Sequence, residues 1–202
     1  MVQHKPVVHI VDDDKAVRES LQLLMQSEDI PVQTYTSAEN FLEQSAEPKL
    51  GCLLLDVRMP GMSGMQLLDL LIQRDISLPV VFITGHGDVS MAVQAMKAGA
   101  ADFIEKPFDT DRLLKVVRKC LSESVQIRNT VEMRNEIKAK VASLTKRERQ
   151  VMDLLADGKQ NKIIADELNI SPRTVELHRA KVMEKLQAHS LSEVVRAAML
   201  VN

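Results

Sequence analysis

Apolar and polar positions follow two different rhythms along this chain, and the change of rhythm divides it. In the first 121 residues, five short runs are rich in β-branched and aliphatic residues: 6–11 (PVVHIV), 31–35 (PVQTY), 51–56 (GCLLLD), 79–84 (PVVFIT) and 101–105 (ADFIE). Between them apolar residues recur at steps of three and four. This predicts helices over 14–28, with Val17, Leu21, Leu24 and Met25 on one face, over about 37–46, 64–74 and 88–98, and another from Asp109. Strands alternating with helices predict a parallel sheet covered on both faces.

After residue 141 the strand rhythm is gone. Thr145 with Glu148, and Ser190 with Glu193, have capping-box spacing. Ser171 before Pro172 reads as an N-cap with proline at the first helical position. Helices are predicted at 145–157, 161–168, 172–187 and 191–200, with Gly158 and Asn169 closing two of them. Four short helices make a compact bundle. Residues 122–141 (SESVQIRNTVEMRNEIKAKV) contain neither Pro nor Gly and predict a continuous helix joining the two parts. Leu113, Val117, Cys120, Ile127 and Val131 lie on a loose 3–4 spacing that Ser124 interrupts; a pairing seam and a solvated helix both fit it.

Composition narrows the function classes. The chain has 202 residues, 45% of them apolar, enough for a packed core without staples. No apolar run approaches a membrane span and the N-terminus lacks a signal-peptide layout, so a soluble cytoplasmic protein is expected. Cys52 and Cys120 have no metal or disulfide spacing and are expected as buried thiols. Net charge is −5 over residues 1–121, +1 over 122–141 and +2 over 142–202, which suggests different partners for front and back.

The first run ends in Asp12, Asp13 and Asp14. Neighbouring carboxylates repel, so a cation is expected beside them. In an open parallel sheet of order 2-1-3-4-5, ligands sit beyond the carboxyl ends of strands 1 and 3. Strand 1 ends at Asp12 and Asp13 and strand 3 at Asp56, so these three acids are expected to converge. Hard oxygen ligands with few protein donors suit Mg²⁺. Asp14 begins the next helix and serves its N-terminal dipole. Strand 4 ends at Thr84, and Lys106 follows strand 5. A carboxylate nucleophile, a divalent cation, a hydroxyl and an ammonium at one sheet edge make a phosphoryl-transfer constellation, with Asp56 attacking.

With these residues in view, the first 121 positions resemble response-regulator receiver domains. The motifs VDDD, LLLDVRMPGMSG, FITGHGD and DFIEKPF carry the likeness and cover every functional strand end. The resemblance implies an α/β flavodoxin-like, doubly wound five-stranded sheet, and phosphorylation of Asp56 by a partner histidine kinase. It implies Mg²⁺ held by Asp13, Asp56 and the Arg58 carbonyl, with Asp12 helping through water. It implies Thr84 and Lys106 on the phosphoryl group and a cis Lys106–Pro107 peptide. Phe103 matches the family's aromatic switch position, where many members carry Tyr. Without the hydroxyl, any inward state rests on packing. Arg58 and His86 match positions that tune phosphoryl lifetime.

The stretch 166–186 (DELNISPRTVELHRAKVMEKL) is a helix-turn-helix candidate. Val175, His178, Val182 and Leu186 share an inward face, while Arg173, Leu177, Ala180, Lys181 and Glu184 point elsewhere. An exposed Leu177 between cations suits a DNA groove. Residues 144–202 resemble LuxR/NarL-type DNA-binding domains, and the pairing with this receiver resembles the FixJ branch. Position by position, the likeness implies base reading at Glu176, Leu177 and Ala180, and phosphate contacts at Lys162, Arg173, Thr174, Arg179 and Lys181. Glu176 stands where Lys is commoner; an acid cannot neutralise phosphate but can accept from cytosine N4. The last helix (LSEVVRAAML) resembles a dimer contact and equally fits the end of the bundle core.

The reading is a two-component transcription factor rather than a turnover enzyme, which slowly loses the phosphoryl group it accepts. Its domains are 1–121 (receiver), 122–141 (helical linker) and 142–202 (four-helix helix-turn-helix). Expected partners are a sensor histidine kinase, promoter DNA, RNA polymerase and, on phosphorylation, a second copy of the chain, with no membrane. The alternative is a Mg²⁺-dependent aspartyl-phosphate phosphatase. Its nucleophile would belong in the first acid run, and the helical module would have no part in hydrolysis. A flavodoxin-like cofactor binder fits worse, since acids stand where a phosphate loop belongs and the chain has no Trp and one Tyr.

Overall fold

A computed structural model of the chain describes residues 5–44, 50–85 and 89–201. The expected rhythm is realised in order: β1 (Val7–Val11), α1 (Lys15–Ser27), β2 (Val32–Tyr35), α2 (Ala38–Glu43), β3 (Gly51–Leu55), α3 (Gly64–Gln73), β4 (Val80–Thr84), α4 (Val89–Lys97) and β5 (Asp102–Glu105). The long α5 (Thr110–Ala142) follows, then α6 (Lys146–Ala156), α7 (Asn161–Leu168), α8 (Pro172–Leu186) and α9 (Leu191–Met199). The far end of the helix expected at 37–46, and residue 88 of the one expected at 88–98, lie outside the described residues. The chain divides into two compact units, Met1–Arg128 and Asn129–Asn202.

The first unit is a five-stranded parallel sheet of order β2-β1-β3-β4-β5, as expected. Strand period two sorts its side chains. Val8, Ile10, Cys52, Leu54, Val81, Ile83 and Ile104 meet Leu21, Met25, Leu113 and Val117 of α1 and α5 on one face. Val11, Leu53, Leu55, Val80 and Phe82 meet Phe41, Leu67, Leu71 and Ala95 of α2, α3 and α4 on the other. Each large side chain buried this way stabilises the unit by about 1.5–3 kcal/mol relative to exposure, before chain entropy is counted. The register sets strand ends level: Val11 lies opposite Leu55, and Leu55 opposite Phe82. Asp12 and Asp56 therefore leave the sheet side by side, and the Asp56 N–H donates to the Val11 carbonyl at 2.9 Å.

The residue that broke the apolar spacing on α5 has a structural purpose. Ser124 is buried at 3% exposure, and its Oγ accepts the Gly51 N–H at 2.9 Å. Gly51 has φ +141°, and a Cβ there would stand 1.7 Å from the Val7 carbonyl oxygen. The backbone packs closely at that corner, and the serine satisfies an N–H that water cannot reach. Cys52 and Cys120 are both buried free thiols, as expected. Burial pushes both thiols well above the usual range, Cys120 to about 11, so neither is poised to react.

In the second unit Val151, Leu155, Ile164, Ala165 and Val175 form one cluster, and Val141, Met152, Val182, Leu186 and Val194 another. The Thr145–Glu148 capping box forms in both directions. Ser171 caps α8 by accepting the Thr174 N–H at 3.1 Å, with Pro172 following. The second capping box departs from expectation. Ser190 is the N-cap of α9 but makes no cap hydrogen bond with its side chain. Its hydroxyl pairs with Ser192 at 2.9 Å, and Glu193 reaches one residue further back to the His189 N–H at 2.8 Å. A nearby hydroxyl has competed for the capping oxygen.

Candidate functional site

The site sits where strands β1, β3, β4 and β5 end. Asp12 is 3% exposed and Asp56 8%. The ammonium of Lys106 lies between them, with Nζ 2.9 Å from Asp12 Oδ2 and 3.4 Å from Asp56 Oδ1. Lys106 is delivered by β5 pairing, since its N–H donates to the Thr84 carbonyl at 2.8 Å. The Lys106–Pro107 peptide is cis. Thr84 is 1% exposed at the end of β4. Phe103 is half-buried, its ring centroid 6.3 Å from that of Phe82. Four strand ends thus bring Asp12, Asp56, Thr84 and Lys106 to one edge, with Phe103 packed behind.

The remaining polar atoms are held locally. Asp12 Oδ1 accepts the Asp14 N–H at 2.9 Å, and Asp14 caps α1 by accepting the Ala16 N–H at 2.8 Å. Asp56 Oδ2 accepts the Arg58 N–H at 2.7 Å. Burial raises the Asp56 pKa; the Arg58 N–H and Lys106 oppose the rise, and the neighbouring charge of Asp12 adds to it.

Asp13 departs from expectation. Its side chain is exposed, and among the described residues no three His, Cys, Asp or Glu side chains stand together as a cage for an ion. Asp12 and Asp56 converge on one ammonium, and Asp13, next to Asp12 in the chain, is exposed. The donor chemistry fits Mg²⁺: the acids offer hard oxygens only, and acids outnumber the one ammonium.

Arg18 went unnoticed in the sequence. Its Nη1 donates to the Asp12 backbone carbonyl at 2.7 Å and so braces the acid corner. The available signal was a cation in the first turn of a helix, where the macrodipole disfavours it unless acids lie near. His86 lies outside the described residues.

A carboxylate whose burial outweighs its partners should leave a mark on stability. Because the folded-state pKa of Asp56 is raised, the native state holds its proton more tightly than the unfolded chain. Stability tied to this group is present below the unfolded value and is lost as pH rises through the folded one. Asp56→Asn is therefore expected to melt higher than wild type at pH 7 in EDTA. The gap should shrink toward pH 4. Calorimetric melts across that range check the sign.

In the second unit, Arg173, Glu176, Leu177, Ala180 and Lys181 are exposed on α8, and Leu177 reaches 60% exposure. Val175, Val182 and Leu186 turn inward, with His178 half-buried beside them. Lys162 is exposed at the start of α7. Arg179 is half-buried, and its Nη1 donates to Asn161 Oδ1 at 3.4 Å. Thr174 is half-buried, with its hydroxyl 2.8 Å from that of Ser171. An apolar side chain flanked by exposed cations on the second helix of a helix-turn-helix is an arrangement that can meet base edges and phosphates together. Among the described residues no helix is long and apolar enough to cross a membrane.

Comparison with known proteins agrees with this geometry. Residues 8–118 match the response regulator receiver domain family, and residues 142–198 match the luxR family of bacterial regulatory proteins. The chain is 49% identical over 193 residues to the transcriptional regulatory protein FixJ of Azorhizobium caulinodans, covering 96% of this chain and 92% of that one. It is similar to the solved structure of the response regulator StyR, with a TM-score of 0.88 and 43% identity over 97% of this chain and 99% of the other. Full-length FixJ from B. japonicum gives a TM-score of 0.59 and 44% identity over 98% of each chain. These matches do not favour the phosphatase alternative. A receiver joined to a DNA-binding output domain is not a typical enzyme; it implies a histidine kinase partner and binding to DNA. The chain belongs to the FixJ-like response regulators, which pair a receiver with a luxR-type DNA-binding domain in phosphorylation-dependent regulation of transcription.

Proposed function

We propose that Asp56 is the phosphoacceptor and that its phosphorylation raises the affinity of a dimer for promoter DNA. The observation that carries this is the Lys106 ammonium shared by Asp12 and Asp56 at the sheet edge. A carboxylate oxygen of Asp56 forms the bond to phosphorus as the donor's phosphohistidine N–P bond breaks and its electron pair returns to the imidazole. Lys106 moves from sharing two carboxylates to countering the new phosphoryl charge, with Thr84 donating its hydroxyl to a phosphoryl oxygen. Asp13, Asp56 and the Arg58 carbonyl would hold Mg²⁺, with Asp12 assisting through water. When bound, that ion supplies charge neutralisation of the transferring group. Arg58 and His86 would set how slowly the acyl phosphate is lost to water.

Movement of Thr84 toward the phosphoryl group opens room for Phe103 to shift inward, and packing alone holds that state. This biases a pre-existing equilibrium of the β4–β5 face and pairs two chains. The proposed division is a receiver over 1–121, a helical linker over 122–141 and the DNA-binding domain over 142–202. On DNA, Glu176, Leu177 and Ala180 would meet base edges, while Lys162, Arg173, Thr174, Arg179 and Lys181 would meet phosphates. The helix-turn-helix occurs once per chain, so a two-fold promoter site needs two chains. RNA polymerase and a cytoplasmic setting complete the reading.

Acetyl phosphate with Mg²⁺, followed by gel shift on genomic fragments, tests it. Phosphorylation should tighten DNA binding by about 5–150-fold, the usual range of site-to-site coupling. EDTA should abolish both adduct and shift. A shift unaffected by the phosphodonor, or an adduct that forms equally in EDTA, would contradict it.

A further inference from the structure

The segment between β3 and α3 carries Arg58, and its conformation is set from several sides. At its start the Arg58 N–H donates to Asp56 Oδ2, and the Gly64 N–H closes on the Val57 carbonyl at 3.0 Å. At its end the Ser63 N–H donates to Gln66 Oε1 at 2.9 Å, part of the capping box of α3. A further hydrogen bond reaches in from another element. Glu39, in the first turn of α2, accepts the Met62 N–H on Oε1 at 2.8 Å.

Two further features belong to this contact. Gly61 has φ +78°, and a Cβ there would lie 2.8 Å from Glu39 Oε1. A glycine thus admits the carboxylate against the backbone. The Glu39 carboxyl is held below the usual carboxylate range by its own backbone N–H first, then by that of Met62 and the hydroxyl of Ser37. The acceptor therefore remains ionised and charge-assisted throughout the neutral range. Met62 and Met59 pack on the same apolar cluster as Phe41 of α2, so the segment is fixed by packing below and by Glu39 at its edge.

We propose that Glu39 is a positioning residue for the phosphoacceptor site: by holding the backbone at Met62 it fixes the segment that carries Arg58 and its carbonyl. The inference rests on the reading that this carbonyl helps hold Mg²⁺. Glu39 touches neither the reacting atoms nor the ion. Its effect should appear in metal affinity, as for other partners that orient ligands from outside the coordination sphere.

The test is calorimetric titration of Mg²⁺ alone into the full chain, without phosphodonor. Glu39→Ala should weaken Mg²⁺ binding about tenfold. Glu39→Gln keeps an acceptor oxygen and should bind close to wild type, which separates the hydrogen bond from any loss of fold. Gly61→Ala should displace the carboxylate and copy Glu39→Ala, and the double variant should be no worse than either alone. At saturating Mg²⁺ the rate of phosphorylation by acetyl phosphate should recover in Glu39→Ala. Wild-type affinity in Glu39→Ala, beside measurable binding in wild type, overturns the positioning role and leaves the metal reading standing. No Mg²⁺ binding in wild type overturns both.

Discussion

Asp56→Ala is expected to gain no phosphate adduct from acetyl phosphate under conditions that convert wild type, as judged by intact mass. Its DNA affinity should not respond to the phosphodonor, so the whole coupling of about 5–150-fold is lost. The size of this effect follows from what the site contains. Asp12 also faces Lys106, at 2.9 Å, but one of its oxygens is engaged by the Asp14 N–H and its carbonyl by Arg18. Both oxygens of Asp12 are thus engaged, whereas Asp56 Oδ1 meets Lys106 only at 3.4 Å and its side chain is the more exposed of the two, 10% against 4%. Asp13 is exposed. A full adduct on the variant would refute the assignment.

The second large effect concerns stability of the helical unit. Glu148 is 3% exposed and does three things at once. Its Oε2 accepts the Thr145 N–H at 2.8 Å and pairs with Lys185 Nζ at 2.6 Å, while its own N–H donates to Thr145 Oγ1 at 3.3 Å. Lys185 also donates to the Ser143 carbonyl at 3.3 Å, so the pair ties α8 to the turn that opens α6. Glu148→Ala removes half of the capping box, worth about 1 kcal/mol. It also removes an ion pair whose lysine is partly solvated, worth about another 1 kcal/mol. The melting transition of the helical unit should fall by roughly 8 °C or more, at 4–8 °C per kcal/mol for a domain of this size. Glu148→Gln keeps an acceptor for Thr145 and should recover part of the loss.

The same pair makes a pH prediction. Lys185 first, then the Thr145 N–H, hold the Glu148 carboxyl down to about 2. A depressed carboxylate contributes stability that is fully present above its unfolded value and is lost as pH falls through the folded one. The wild-type advantage over Glu148→Ala should therefore be flat at neutral pH and decay below about pH 4.5, approaching its minimum near pH 2. Calorimetry is the suitable probe, because two units in one chain need not melt together.

Much of this molecule was legible in its sequence because the signals were local or periodic. Strand runs ended in chemistry-bearing residues, and the strand order of an open parallel sheet was enough to bring Asp12, Asp56, Thr84 and Lys106 to one edge. The N-cap at Ser171–Pro172 and the box at Thr145–Glu148 were spelled out in consecutive positions. What escaped depended on partners that no spacing announces. Ser124 looked like a defect in an apolar stripe, yet it accepts an N–H from a residue 73 positions away. Lys185 finds Glu148 across 37 positions. Glu39 meets Met62 across 23. At Ser190 a second serine two positions on was enough to defeat the cap.

The most direct measurement is location of the phosphoryl group. Wild-type protein would be treated with acetyl phosphate and Mg²⁺, trapped, digested and mapped by mass spectrometry. One adduct is expected, on the peptide containing Asp56 and at that residue. An adduct at Asp12, Asp13 or elsewhere, with Asp56 unmodified, would contradict it.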